Sequence, residues 1–126
     1  MALPIVIHAS QRPLPVSIKA RGVRLDAALK RSILASARSA LGRFSRRLRG
    51  VFVWIEDTNG PRDGSGIRCR IELALLPGGR LTVSAEAANE FAAVARCTDR
   101  AWELMDRHVK KRRHVRRRAR VLRHKI

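Results

Sequence analysis

The densest group of side chains that could act on another molecule is a run of cations near the end of the chain. Eleven Lys and Arg residues lie between positions 107 and 125, and no acidic residue follows Asp106. Guanidinium and ammonium groups bind phosphate oxygens through charge-assisted hydrogen bonds, and Arg also offers a planar fork that stacks on bases. The segment therefore indicates contact with a polyanion, of which nucleic acid is the commonest kind.

A second group of cations surrounds the first helix that the sequence predicts. The chain of 126 residues has a net charge of +18, and most of its cations are Arg rather than Lys. If the two predicted helices lie side by side, their basic flanks form one electropositive surface, so we take both groups as candidate RNA contacts. The candidates are Lys19, Arg21, Arg24, Lys30, Arg31 and Arg38 in one group and Arg100, Arg107, Lys110, Lys111 and Arg113 in the other.

Side chains for catalysis or metal binding are not grouped in the sequence. His108 and His114 lie six residues apart, a spacing that does not place them on one helix face for a metal ion. Asp99 and Glu103 stand near arginines and are expected to form solvated ion pairs. The glycines between positions 59 and 66 do not lead from a strand into a helix, as phosphate-binding loops do. We therefore expect no enzyme, no metal, no cofactor and no small-molecule substrate.

The cysteines and the apolar segments bear on the compartment. Cys69 and Cys97 lack metal-ligand spacing and are expected to be small core residues of a cytoplasmic protein. The sequence has no run of 18 apolar residues, and its first ten residues lack the basic and long apolar regions of a signal peptide. We predict a cytoplasmic protein with no membrane partner.

Aromatic side chains for base stacking are expected to be scarce at the surface. The chain has no Tyr, and we assign Phe44, Phe91 and Trp102 to the core. Proteins that read single strands normally stack bases on aromatic rings. The sequence therefore favours contact with folded RNA through phosphates and shape.

Two periodicities predict the elements that carry these side chains. Alternation from Val16 predicts a first strand, and Asp26 stands where a helix N-cap is expected. An apolar stripe at spacings of three and four, from Leu29 to Leu48, predicts one helix of about six turns. Gly50 is the predicted C-cap of that helix.

Three further strands and a second helix follow. Alternation begins again at Val51 and at Ile67, and Pro77-Gly78-Gly79 turns the third strand into a fourth one that starts near Leu81. These three strands are predicted to form an antiparallel meander with one wet face. Asn89 is the predicted cap of a second helix, whose buried stripe from Phe91 to Val109 fades into the cationic segment.

The order β-α-β-β-β-α predicts an α+β fold, since each helix has one apolar stripe and the sheet one apolar face. The economical solution is a two-layer sandwich in which both helices pack on one face of a four-stranded sheet, similar to double-stranded RNA-binding domains. We expect an N-terminal extension over residues 1–13, an α+β domain over 14–113 and a basic tail over 114–126. The tail either threads along RNA or stays disordered until it binds.

Three motifs occur in order along the chain: Asp26-Ala-Ala-Leu-Lys30, Leu81-Thr-Val-Ser-Ala85-Glu86, and Asn89-Glu-Phe-Ala-Ala-Val94 followed by Asp99-Arg100. In these motifs the chain resembles the ribosome hibernation promoting factor and ribosome-associated inhibitor family (the sigma-54 modulation family) in its short form. The loop from Asp57 to Arg62, continuing to Cys69, is similar to a subgroup of short members. The resemblance spans roughly residues 14 to 113.

The resemblance implies a factor that binds 16S rRNA of the bacterial 30S subunit, in the channel for tRNA and mRNA, during stress or stationary phase. It adds His108 to the candidate contacts, since Arg107, His108 and Lys111 match the basic end of the family's second helix. Ser36 and Ser39 stand where many members have Lys, and Glu103 replaces a basic residue. We expect a monomer when free, and nothing in the residues indicates direct contact with a sigma factor.

Two other functions are compatible with the residues. A general double-stranded RNA- or DNA-binding module is the first alternative, since the element order also resembles double-stranded RNA-binding domains and the charge would also serve to coat DNA. An interaction module for an acidic protein is the second. A ribosome factor should prefer small ribosomal subunits over an excess of double-stranded RNA or DNA at physiological salt, whereas a general duplex-binding module should not.

Overall fold

The elements occur in the predicted order, with one short helix added after the first long one. A computed structural model describes residues 13–58 and 66–124; the first twelve residues and the predicted turn at Asn59-Gly60-Pro61 and Asp63-Gly64 lie outside this description. The elements are β1 (Val16–Arg21), α1 (Ala27–Leu41), a 3-10 helix (Gly42–Arg47), β2 (Leu48–Asp57), β3 (Ile67–Leu75), β4 (Arg80–Ala87) and α2 (Glu90–His124).

The four strands form one sheet in the order β1-β2-β3-β4. β1 runs parallel to β2, with α1 as the crossover, and β2, β3 and β4 form the predicted antiparallel meander. The register places Ile18, Val53, Ile71 and Val83 in a single row across the sheet. Because side chains alternate along each strand, every residue of this row lies on the same face.

Both helices pack on that face, so the predicted two-layer α+β sandwich is confirmed. Val53 and Ile71 of the sheet, Ile33 of α1 and Met105 of α2 are almost completely buried together. Each fully buried aliphatic side chain stabilises the fold by roughly 1.5–3 kcal/mol. No helix of the described residues covers the opposite face, which is named the open face below.

The predicted helix caps are confirmed at both N-termini. The Asp26 side chain accepts a hydrogen bond from the backbone N–H of Leu29 at 2.8 Å. The Asn89 side chain accepts one from the backbone N–H of Ala92 at 2.9 Å. Each side chain satisfies one of the backbone donors that the first helical turn leaves unpaired.

The first helix is shorter than predicted. It ends at Leu41, and the 3-10 helix carries Phe44 into the core before β2 begins at Leu48. Gly50 is therefore a strand residue, and Val51 donates its backbone N–H to the Pro15 carbonyl at 2.9 Å. Phe44 and Leu48 would be buried in a longer helix, and they are also buried in the observed 3-10 helix and β2. The apolar stripe therefore continues past Leu41 and does not by itself locate the end of the helix.

The second helix is longer than predicted. It continues to His124 without a break, through the boundary placed between positions 113 and 114. Residues 110–123 are exposed on every side, so this part of the helix projects beyond the sheet. Arg, Lys and Leu are good helix formers, which lets the helix continue without a buried stripe. None of the described helices is both long enough and apolar enough to cross a bilayer.

Candidate nucleic-acid interface

One line of cations runs along the flank of α2 that faces β4. Arg96 donates a hydrogen bond to the Glu86 carbonyl at 2.7 Å, and Arg100 donates one to the Ser84 carbonyl. Arg107 and Lys111 follow Arg96 at 11 and 15 residues, close to whole numbers of turns, so they share its side of the helix. The predicted contacts Arg100, Arg107 and Lys111 thus lie in one stripe, and Arg100 also ties the helix to the edge strand.

The cations of α1 lie on the side of that helix turned away from α2. Ser36, Ser39 and Ala40 line the groove between the helices. At 100° per residue, Arg31 and Arg38 are rotated from each of these by roughly 80° or more. Lys30, Arg31 and Arg38 are exposed, as predicted, but they face solvent on the outer flank.

The groove between the helices is not basic. Asp99 and Glu103 line it from α2, opposite the two serines of α1, and Arg43 is the one cation among the described lining residues. Within residues 13–58 and 66–124, neither Asp99 nor Glu103 forms an ion pair within 4.0 Å, contrary to prediction. Two carboxylates therefore lie between the basic flanks of the helices, which the prediction of one electropositive surface did not include.

Lys110 and Arg113 occupy other sides of α2. Lys110 Nζ lies 2.9 Å from Asp106 Oδ2 on the preceding turn, so its charge is partly compensated. Arg113 is exposed in the projecting part of the helix. Of these two predicted contacts, only Arg113 presents an unpaired charge within the described residues.

A cleft of about 360 Å³ contains a group of arginines that the predicted contacts omitted. The 3-10 helix supplies Arg46 and Arg47, and α2 supplies His108, Arg112 and Arg116, while Leu76 and Pro77 of the β3–β4 turn form its apolar wall. We call it the arginine cleft. The sequence shows Arg46 and Arg47 as part of a helix, and only the return of the chain at Leu48 brings them next to α2.

His108 is the one predicted contact with a shifted pKa. Burial lowers the pKa of its imidazole, and the nearby charges of Arg112, Arg47 and Lys111 lower it further. The neutral form is favoured because a proton added there is both desolvated and repelled. The negative charge of a phosphate bound in the arginine cleft would oppose the repulsion by these cations and raise the pKa of His108 again.

The remaining predicted contacts lie apart from the helix layer. Lys19 and Arg21 are on the open face, where they line one depression with Trp54 and Arg70. Arg24 is exposed in the connection between β1 and α1. Lys19 and Arg21 therefore lie on the opposite side of the sheet from the α2 stripe.

The expected scarcity of surface aromatics is wrong. Phe91, assigned to the core, is 52% exposed at the start of α2, and Phe52 is 37% exposed on the open face. Trp54 is half-buried beside Phe52, with ring centroids 6.1 Å apart. The signal was present in β2, because burial of Val51, Val53 and Ile55 directs the residues between them outward.

The two cysteines are buried core residues, as predicted. The Cys97 thiol donates to the Cys69 carbonyl at 3.3 Å. The hydrogen bond with Cys97 and burial raise the pKa of the Cys69 thiol, which keeps it neutral. Within the described part of the chain, no three His, Cys, Asp or Glu residues are grouped so as to hold a metal ion.

The arrangement of elements matches that of solved structures. The N-terminal domain of Protein Y from Thermus thermophilus superposes with a TM-score of 0.61 and 21% identity, over 77% of this chain and 99% of that one. The chain has the fold of that domain. A ribosomal subunit interface protein from Coxiella burnetii superposes with a TM-score of 0.62 and 12% identity, over the same shares of the two chains. No family model and no curated protein matches the sequence.

Proposed function

We propose that this chain is a cytoplasmic ribosome hibernation factor of the short type, which binds 16S rRNA of the small subunit and blocks translation during stress or stationary phase. The observation that carries the proposal is the arginine cleft, with the α2 stripe on another side of the same helix, on a fold shared with Protein Y and a ribosomal subunit interface protein. Residues 14–113 would form the ribosome-binding unit, and the basic segment 114–126 would add rRNA contacts.

Charge supports a phosphate partner at this surface. The cleft is lined by four arginines and a histidine, with no carboxylate among the described lining residues. The ion pairs of the described residues engage Arg68, Arg80 and Lys110, so the arginines of the cleft keep their charge free. Guanidinium groups from two elements that converge on one cleft fit the oxygens of a folded RNA backbone.

Shape supports RNA that is already folded. The projecting part of α2 exposes cations on every side, and it extends the stripe beyond the sheet. Such an element follows a groove between phosphate backbones and contacts both sides of it, largely without base readout. Most of the affinity would come from phosphate neutralisation, so it should fall steeply as salt rises.

The first experiment is sedimentation with 30S and 70S particles through a sucrose gradient at about 150 mM salt, where exposed charges are substantially screened. We expect co-migration near one copy per particle, together with inhibition of translation in vitro. Protein that stays at the top of the gradient would contradict the proposal.

A general module for double-stranded RNA or DNA is the second candidate. The projecting part of α2 exposes cations on every side, and cations so arranged can contact the phosphates of any duplex. Competition decides between the two. A ribosome factor keeps its place on 30S particles when excess duplex RNA or DNA is added, whereas a general module is removed or coats the particles in many copies.

A further inference from the structure

The open face carries an aromatic pair that the core does not use. Phe52 and Trp54 are two residues apart on β2, so both point away from the helices. Their rings lie with centroids 6.1 Å apart and planes inclined by 27°, which is a stacked arrangement. The pair lies between two shallow depressions of about 470 Å³ and 460 Å³, one beside Phe52 and the other beside Trp54.

A guanidinium group extends this aromatic surface. Arg70 is the cross-strand neighbour of Trp54, and its Cζ lies 4.5 Å from the centroid of the Trp54 ring. No carboxylate of residues 13–58 or 66–124 forms an ion pair with Arg70. A guanidinium held over a tryptophan presents its outer plane to solvent, and such a plane stacks on a base as an aromatic ring does.

Cations border the pair on the side of β1. Lys19 is the register partner of Trp54, and Arg21 lies two residues further along the same strand. Both are exposed, and neither has a carboxylate partner within the described residues. They would reach the phosphates of a strand whose bases lie on the aromatic pair.

The carboxylates of the open face are already paired with other arginines. Arg68 Nη2 lies 2.9 Å from Glu86 Oε1, and Arg68 Nη1 lies 3.8 Å from Glu56 Oε1. Arg80 Nη1 lies 3.4 Å from Glu72 Oε1. Acidic groups that would repel a phosphate are therefore partly compensated from within the face. These two arginines are shared among three carboxylates, and the further cations Lys19, Arg21 and Arg70 leave the face with a net positive charge.

We propose that the open face is a second RNA-binding surface, on which unpaired bases of single-stranded RNA stack on Phe52, Trp54 and the plane of Arg70. Lys19 and Arg21 bind the phosphates beside them. Stacked rings beside free cations are the combination by which proteins hold single strands without strong sequence preference. The choice of RNA over DNA rests on the proposed function, whereas the stacking itself does not.

This surface lies on the side of the sheet opposite the helices, so it leaves the arginine cleft free. A chain that binds folded rRNA through α2 can hold an unpaired strand on its open face at the same time. The two surfaces differ in chemistry, since the cleft offers arginines and the open face offers rings.

The test uses the fluorescence of Trp54 in the full chain with Trp102→Phe, which removes the other of the two tryptophans. The probe is a non-self-complementary single-stranded RNA of about eight nucleotides, within the site sizes known for such surfaces. An abasic oligomer with the same sugar-phosphate backbone serves as the matched ligand, and the corresponding DNA oligomer tests the choice of RNA. We expect quenching of Trp54 by the RNA, and an affinity roughly five- to 150-fold higher than for the abasic oligomer.

Two variants make the result specific to the open face. Trp54→Ala should lower affinity for the RNA to that for the abasic oligomer, measured by anisotropy of a labelled probe, and Trp54→Tyr should retain most of it. Phe91→Ala is the matched control, because it removes an exposed ring that lies outside the open face, and it should change nothing. If Trp54→Ala does not fold, as judged by circular dichroism, Phe52→Leu replaces it with the same expectation.

Equal affinities for the RNA and the abasic oligomer, or unchanged binding by Trp54→Ala, would overturn the proposal. A Trp54 spectrum that changes with protein concentration in the absence of RNA would assign the face to a second copy of the chain, and would also overturn it. Quenching by DNA in preference to RNA would reject the choice of RNA. Failure of this proposal can be distinguished from failure of the proposed function. Co-sedimentation with 30S particles tests the proposed function, which depends on the helix layer and not on the open face.

Discussion

The arginine cleft on the helix side and the open face carry similar numbers of cations but use them differently. On the open face, Arg68 and Arg80 are engaged by carboxylates, and Arg70 lies on a tryptophan ring. In the arginine cleft, arginines from two elements converge with no described carboxylate among them. The number of cations alone does not distinguish the two surfaces. The comparison teaches that the pairing of each cation within the fold decides which surface is left to bind phosphate.

The largest expected effect is removal of the arginine cleft. Arg47→Ala, Arg112→Ala and Arg116→Ala together should weaken binding to 30S particles about 1,000-fold or more, since each charged hydrogen bond contributes about 1.5–3 kcal/mol. The logarithm of affinity plotted against the logarithm of salt concentration should lose about 0.9 of slope per lost phosphate contact in a duplex, and somewhat less in single strands. The matched control is Lys30→Ala with Arg31→Ala and Arg38→Ala, on the outer flank of α1. If both triple variants lose affinity equally, the cleft has no special role.

A smaller effect is expected for the cations of the α2 stripe, and a still smaller one for Lys110, which is paired with Asp106. Arg107→Ala with Lys111→Ala is expected to weaken ribosome binding about tenfold, because solvent screens these two exposed cations and limits each phosphate contact to about 0.7 kcal/mol. Lys110→Ala should weaken it less than about threefold, since Asp106 already holds that ammonium group. Titration of labelled protein with 30S particles at constant salt measures both. A Lys110 effect as large as that of the pair would show that the Asp106 contact opens on binding.

Asp26→Ala should change stability and leave both surfaces intact. Loss of the hydrogen bond that Asp26 accepts from Leu29 is expected to lower the free energy of unfolding by about 1 kcal/mol. Urea denaturation followed by circular dichroism measures the change, and ribosome binding by the folded variant should be unaltered. A fall in binding at full helicity would mean that the carboxylate has a role besides the cap.

The smallest expected effect is the pH dependence due to His108. Burial, and then the charges of Arg112, Arg47 and Lys111, hold its pKa in the folded chain below the ordinary histidine value of 6.5, so the unfolded chain binds more protons as pH falls through that value. Stability contributed by this group is therefore present above that pH and is lost below it. His108→Gln should lose less stability than the native chain between pH values of about 7.5 and about 5.5. Identical losses in urea titrations of both proteins would assign the pH dependence to other groups.

The fold was largely predictable because its signals are local or strictly periodic. Asp26 and Asn89 were recognised as caps, and the alternation in β3 placed Cys69 and Ile71 in the core. The end of α1 was not predictable from the stripe, because Phe44 and Leu48 stay buried whether the chain continues as a helix or turns into β2. Pairing of Leu48 with Leu75 of β3 decides between these alternatives, and that contact is distant in sequence.

The site was predictable in its residue types and less so in its arrangement. The candidates on α2 were found from charge density, whereas Arg46 and Arg47 were missed because their neighbour in space is more than 60 positions away along the chain. Phe52 and Trp54 were missed for a different reason. The alternation that buries Val51 and Val53 already directs Phe52 and Trp54 outward. The prediction of few surface aromatics was based on how few aromatic residues the chain has, and it did not consider their positions in β2.

By itself, the sequence determined the net charge, the order of the elements, the helix starts and the apolar faces, since each depends on composition or on neighbours within a few positions. Only the tertiary structure decided which cations are free. Burial on one face of the sheet separates Lys19 and Arg21 from the helices, Asp99 and Glu103 divide the helix flanks, and the turn at Gly42–Arg47 brings Arg47 to His108. The physical reason is that electrostatic interactions depend on distance in space, and residues far apart in the chain become neighbours only when the core forms.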